Sequence, residues 1–156
     1  MSQDRLKQAG ELLQQAYRAQ RDGELDRAVK LDMTSSGICP TAEAHTFFGW
    51  TYHFQGEVDD AILECKRAIE VDPGFGNPYD DIGAYLIALG RNDEAIPWLE
   101  QVIVAPCQEP RHDPYFNLGR AYYAKGMFLR ARSYFQEALR IEPDYSLARR
   151  PSRAFA

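Results

Sequence analysis

Cys107 and His112, five residues apart, are the nearest this sequence comes to a metal-ligating pair. A structural zinc site needs four nitrogen or sulfur ligands, and no second pair at suitable spacing accompanies them. No metal and no cofactor are therefore expected. His45 and His53 are single histidines without a spaced partner, and they read as a packing and a contact residue respectively. The carboxylate pairs Asp59-Asp60 and Asp80-Asp81 are adjacent in sequence, which on a helix sends the two side chains in different directions. They suit helix caps and solvated faces better than acid–base work. Gly74 and Gly76 lack the Lys-Ser/Thr and the preceding strand of a phosphate loop, and no G-x-S-x-G elbow occurs. These residue types make no catalytic constellation, so a non-enzyme is expected.

The bulk properties narrow the field further. With 156 residues, 45% hydrophobic and 26% charged, the chain has the composition of one ordinary globular domain. Its formal charge of -5 argues against nucleic acid, which demands a basic face. The one basic cluster, Arg149, Arg150 and Arg153, reads as a solvated tail. Cys39, Cys65 and Cys107 are odd in number and far apart, which fits a reducing compartment rather than a disulfide framework. Met1 to Gln20 carries charges throughout and has no apolar run of the signal-peptide kind. No stretch approaches the ~20 apolar residues of a membrane-spanning helix. A cytoplasmic protein that touches no membrane is expected.

The elements that position these residues come from a repeat. Gly23, Gly56, Gly90 and Gly126 are spaced 33, 34 and 36 apart, and each precedes an alanine by five residues: Ala28, Ala61, Ala95 and Ala131. The last unit holds Tyr115, Leu118-Gly119, Tyr122, Gly126, Ala131, Phe135, Ala138 and Pro143. At those spacings it closely resembles the tetratricopeptide repeat, W-x2-L-G-x2-Y followed by A-x3-F and P. The second unit matches with His45, Phe48-Gly49, Tyr52, Gly56, Ala61, Cys65, Ala68 and Pro73. The third keeps Tyr79, Ile82-Gly83, Leu86, Gly90, Ala95 and Leu99, then departs at Val102 and Cys107 and gains two residues within Pro106 to Arg111. The first is degenerate: Ala16, Gly23, Ala28 and Pro40 remain, while Asp32 and Ser35 stand where the family is apolar or small.

The resemblance implies an all-α fold, a right-handed superhelix of stacked antiparallel helix-turn-helix hairpins, each unable to bury its apolar face alone. One domain over residues 1–156 is expected, with a degenerate capping repeat at 1–40, repeats at 41–75, 76–111 and 112–143, and a short cap and tail at 144–156. Each glycine should close a first helix in the left-handed conformation. Asn77-Pro78 and Asp113-Pro114 read as an N-cap followed by proline at the first helical position. Thr41 and Ser2 should cap the other two first helices. Gly49 with Ala61, Gly83 with Ala95 and Gly119 with Ala131 are expected to let paired helices approach closely, and Pro73 and Pro143 to end second helices. Pro97 falls near the start of a second helix and should bend it if it lies beyond the first turn.

In this family the first helices line a concave groove. The resemblance therefore places Tyr17, Gln20 and Arg21, then Glu43, Thr46, Trp50, His53 and Phe54, then Asn77, Asp80, Ala84 and Ile87, then Asp113, Phe116, Arg120 and Tyr123 on that surface. Trp50, Phe54, Phe116 and Tyr123 are aromatic where solvent would otherwise be expected, as at interaction sites. Over the last three units Glu43, Asp80 and Asp113 oppose Arg120, so the groove reads as mildly acidic. A basic, partly apolar protein or peptide segment would suit it. The carboxylate clamp of some family members is not expected, because Asp80 and Asp81 stand near Asn117 and Arg120. The function expected is a non-catalytic protein–protein interaction module of the adaptor or co-chaperone-like kind. The alternative is a self-associating subunit that forms homo-oligomers.

Overall fold

A glycine at positive φ ends the first helix of every hairpin: Gly23 at 79°, Gly56 at 83°, Gly90 at 77° and Gly126 at 79°. Each closes the same pair of bonds. Gly56 N–H donates to the His53 carbonyl (2.9 Å) and Glu57 N–H to the Tyr52 carbonyl (2.9 Å), a Schellman closure that satisfies the last carbonyls of the helix. The computed structural model describes residues 3–104 and 112–144. Expectations that fall on Ser2, on Pro106 to Arg111 with Cys107, and on the tail from residue 145 onward lie outside those residues.

The chain divides into two compact units, Met1–Pro78 and Tyr79–Ala156. In the first, α1 (Gln3–Arg21) packs on α2 (Leu25–Ile38), α2 on α3 (Ala42–Phe54), and α3 on α4 (Val58–Val71). Helix α5 (Asn77–Ala88) begins two residues before the boundary, and in the second unit α6 (Asn92–Val104) packs on α7 (His112–Ala124), and α7 on α8 (Phe128–Ile141). No strand occurs among the described residues. Thr41 caps α3, its side chain accepting from Ala44 N–H at 3.0 Å. Helices α5 and α7 begin at Asn77 and His112, so Pro78 and Pro114 fall at the second and third helical residues. Both stay inside the first turn, where a missing N–H costs nothing. Pro97 is the sixth residue of α6, beyond that turn, and deprives the Asp93 carbonyl of its helical donor. Pro73 and Pro143 each follow the last helical residue by two positions, at Val71 and Ile141.

The close approach within a hairpin brings a residue beyond the alanine against the glycine as well. A Cβ on Gly83 would lie 2.5 Å from Leu99, and one on Gly119 would lie 2.5 Å from the Phe135 ring. At Gly49 the nearest atom is the Ala61 carbonyl oxygen, at 3.1 Å, with Cys65 Sγ at 3.4 Å. Leu99, Phe135 and Cys65 hold one register, nine residues past the turn glycine, and all three are buried. The absent side chain thus makes room for a bulky partner four residues beyond the alanine.

Gly119→Ala should cost about 1–3 kcal/mol of stability, because the fully buried Phe135 ring has nowhere to go. Gly10→Ala, in the middle of α1 with nothing within 4 Å, should gain about 0.5–1 kcal/mol. Thermal melts of the two variants check both signs.

Candidate functional site

In the first unit, the residues left over from packing gather around one buried ring. Tyr17 on α1 packs at a tilt on Phe47 of α3, centroids 4.0 Å apart, and Trp50 meets Phe47 edge-on at 6.1 Å. Phe47 is buried, while Tyr17 is 44% and Trp50 37% exposed. The face of α1 and α3 therefore carries two half-open aromatic side chains on a rigid base. Phe47 was missed by the sequence reading, although its place three residues before Trp50 puts it on the same helix face. Glu43 is exposed on α3, as are His53 and Phe54, whose rings lie 5.7 Å apart. Thr46 departs from expectation. It is buried, and its hydroxyl donates to the Ala42 carbonyl at 2.7 Å, so it belongs to the packing and not to the surface.

Behind that face lies a polar network in the core. Gln20 Nε2 donates to Thr51 Oγ1 at 3.0 Å, and Thr51 donates to Asp32 Oδ2 at 2.9 Å. Asp32 occupies the register that Phe135 fills in the last hairpin and is 1% exposed; its Oδ1 has no partner among the described groups. Burial pushes its carboxyl up to about 7, helped by the negative charge of Glu64 and opposed by the Thr51 hydroxyl. Glu64, also buried, takes His45 Nδ1 at 2.7 Å on one oxygen and Arg67 on the other. His45 is thus a packed, satisfied histidine, as its position suggested. Burial and the carboxylates Asp60 and Glu64 likewise raise the Tyr52 phenol. Ser35, the other departure of the first repeat, donates to the Ala9 carbonyl at 2.8 Å.

The second unit presents a different surface. Asp80 is buried and accepts from Asn117 Nδ2 at 3.0 Å, while Arg120 donates to Asn117 Oδ1 at 3.1 Å and sits 5.9 Å from the Phe116 centroid. Asp80 is accordingly a positioning residue in the core, and the expected acidic count on this face falls to Asp113 against Arg120. The same bonds occupy Asn117, the side chain a carboxylate clamp would use. Phe116 packs on Phe135 at 5.6 Å and is half-buried. Ala84, Ile87 and Asn77 are partly exposed, and Tyr123 lies open at the end of α7, edge-on to Phe128 at 5.2 Å.

Family models of the tetratricopeptide repeat match residues 42–75 and 112–145. Two of the chain's hairpins thus carry the tetratricopeptide repeat, and its fold is an all-α helical-repeat solenoid. Among solved structures, that of Pseudomonas aeruginosa pilF superposes with a TM-score of 0.87 at 19% identity, over 96% of this chain and 68% of that one. PilW, a type IV pilus biogenesis factor, gives 0.84 at 18% identity over 95% and 66%. The first repeat domain of Spaghetti, bound to the HSP90 peptide SRMEEVD, gives 0.67 at 19% identity over 72% and 88%. At such identities the likeness is one of fold. No curated protein matches the sequence. No helix among the described residues is long and apolar enough to cross a membrane.

The Asp32 carboxyl yields a pH dependence with a definite sign. Its folded value lies above the unfolded one near 3.9, so the native state holds the proton more tightly. Stability from this group is complete below about pH 4 and falls as the pH climbs towards 8, by up to about 4 kcal/mol. Asp32→Asn keeps an acceptor for Thr51 and removes the titration. Its melting temperature should gain on the wild type steadily from pH 4 to pH 8; parallel melting curves across that range would contradict the assignment.

Proposed function

We propose that the chain is a non-catalytic binding module that holds a segment of another protein against the first-helix face of its first unit. The tetratricopeptide fold is a typical protein-interaction module. The observation that carries the reading is the Tyr17–Phe47–Trp50 cluster, in which two rings remain half open to solvent on a buried third. Rings fixed in this way lose little entropy on binding, and aromatic anchors dominate interface energetics. Glu43 adds a negative charge to this face, and the open ring faces attract cations. A partner segment with an apolar residue beside Lys or Arg fits that chemistry. The second unit carries a separate set of first-helix residues, Arg120 with Phe116 and, beside them in the sequence pattern, Asp113, Ala84, Ile87 and Tyr123. The buried cysteines Cys39 and Cys65 suit the reducing cytoplasm proposed as its location.

A peptide array that varies charge and aromatic content tests the reading. Basic, partly apolar peptides should bind in preference to SRMEEVD. Trp50→Ala should weaken the best of them by about 2 kcal/mol, roughly thirtyfold. Leu63→Ala, exposed on α4, should leave binding unchanged. A preference for acidic peptides, or indifference to Trp50→Ala and Tyr17→Ala together, would refute it.

A further inference from the structure

The four helix turns are built alike but not charged alike. After the turn glycine the first three continue Glu24-Leu25-Asp26, Glu57-Val58-Asp59 and Arg91-Asn92-Asp93, whereas the fourth continues Met127-Phe128-Leu129. All three of these apolar side chains are exposed, Leu129 at 82%. Leu129 is only the second residue of α8, so the helix start thrusts it outward. No hairpin packing needs it there. Its surroundings are basic: between Asp113 and Glu137 the sequence has Arg120, Lys125, Arg130 and Arg132 and not one acid. Lys125 is held by Asp93 at 2.5 Å. Arg130 is exposed, with its guanidinium 4.6 Å from the Tyr122 centroid.

The first unit carries the complementary feature at its own turns. Gly23, Leu25, Asp26, Phe54, Gln55 and Glu57 line an open recess of about 490 Å³. Phe54, 60% exposed, supplies apolar surface there, and Gln55 Nε2 donates to Asp26 Oδ1 at 3.0 Å, which fixes one wall. From Phe54 to Cys65 the chain has Glu57, Asp59, Asp60 and Glu64 and no Lys or Arg. An open, mainly polar recess with acidic groups and one exposed phenylalanine, and an apolar knob with a basic rim, thus belong to the same sequence.

We propose that these two surfaces meet between copies of the chain: the Met127-Phe128-Leu129 tip of one copy enters the Phe54 recess of the next, with Arg130 against Asp26 and Glu57. Three considerations favour a second copy over other occupants. The tip protrudes and so needs a concave partner, and the recess is one that the chain itself provides. The charges are opposite, which aligns the encounter and disfavours alternatives. A bilayer rich in anionic lipid would attract the tip but repel a chain of net charge -5. The contact is heterologous, since a different patch is used on each side, so each copy keeps one unused face and assembly continues head to tail. The contact is small, which makes it weak and dependent on concentration and salt.

The test exploits that asymmetry. Sedimentation velocity on the full chain over a wide concentration series should show mass growing with concentration at low salt and shrinking at high salt. Leu129→Asp spoils the tip; the residue is exposed, and an acid in the first turn of α8 suits the helix dipole, so the fold should persist by circular dichroism. The double variant Asp26→Lys, Glu57→Lys spoils the recess. Each should be at least tenfold weaker in self-association, and mixing the two should restore one intact contact, giving heterodimers that grow no further. Arg130→Glu serves as a second tip variant. A wild type that stays monomeric throughout, including one captured by phosphatidylserine vesicles instead, overturns the proposal. So does a tip variant that assembles like wild type, or a mixture of the two defective chains that forms no dimer.

Discussion

The close approach of two helices across a missing side chain is the constraint from which the rest of this structure follows. Gly83 against Leu99 and Gly119 against Phe135 leave no room for even a Cβ. With the helices fixed at that distance, the residues on the two facing stripes are committed to packing, and everything else is available for other uses. The turn glycines serve the same end, since a Schellman closure at positive φ brings the chain straight back along the helix it has just left. Tyr17, Trp50 and the turn tips acquire their exposure from this geometry rather than from any preference of their own.

The first hairpin shows how far the constraint can be stretched. Asp32 stands where Phe135 stands in the last hairpin, and a buried carboxyl cannot replace dispersion contacts. The hairpin compensates with the Gln20, Thr51 and Asp32 chain of hydrogen bonds and with Ser35 bonded back to α1. That arrangement is specific but costly, because ionisation of Asp32 near neutral pH works against folding. It also ties α1 and α2 to α3, so the face that holds Tyr17 and Trp50 depends on a polar core instead of an apolar one.

Much of the fold was legible because its signals are local and periodic. The glycine spacing, the alanine five residues on, Thr41 before α3 and the two terminal prolines each report on their own hairpin. The partners of the missing side chains were not legible: the sequence shows that Gly119 is small, but not that Phe135 rather than Ala131 fills the space. The surface was read only in part, for a related reason. The family resemblance assigns Thr46 and Asp80 to the first-helix face, yet Thr46 turns its hydroxyl to Ala42 and Asp80 is drawn inward by Asn117, 37 positions away. A polar side chain on the nominal face goes where its hydrogen-bond partner is, and such partners across helices leave no spacing signal. Phe47 illustrates the converse, an apolar residue whose importance lies in supporting its exposed neighbours.

The account stands or falls on whether the side chains spared by hairpin packing form the interaction surface. Amide chemical-shift mapping of the labelled chain, titrated with a basic, partly apolar peptide, addresses that directly. Perturbations concentrated around Tyr17, Glu43, Phe47 and Trp50 on α1 and α3 are the expected result. Perturbations confined to α2 and α4, or none at saturating peptide, would contradict it.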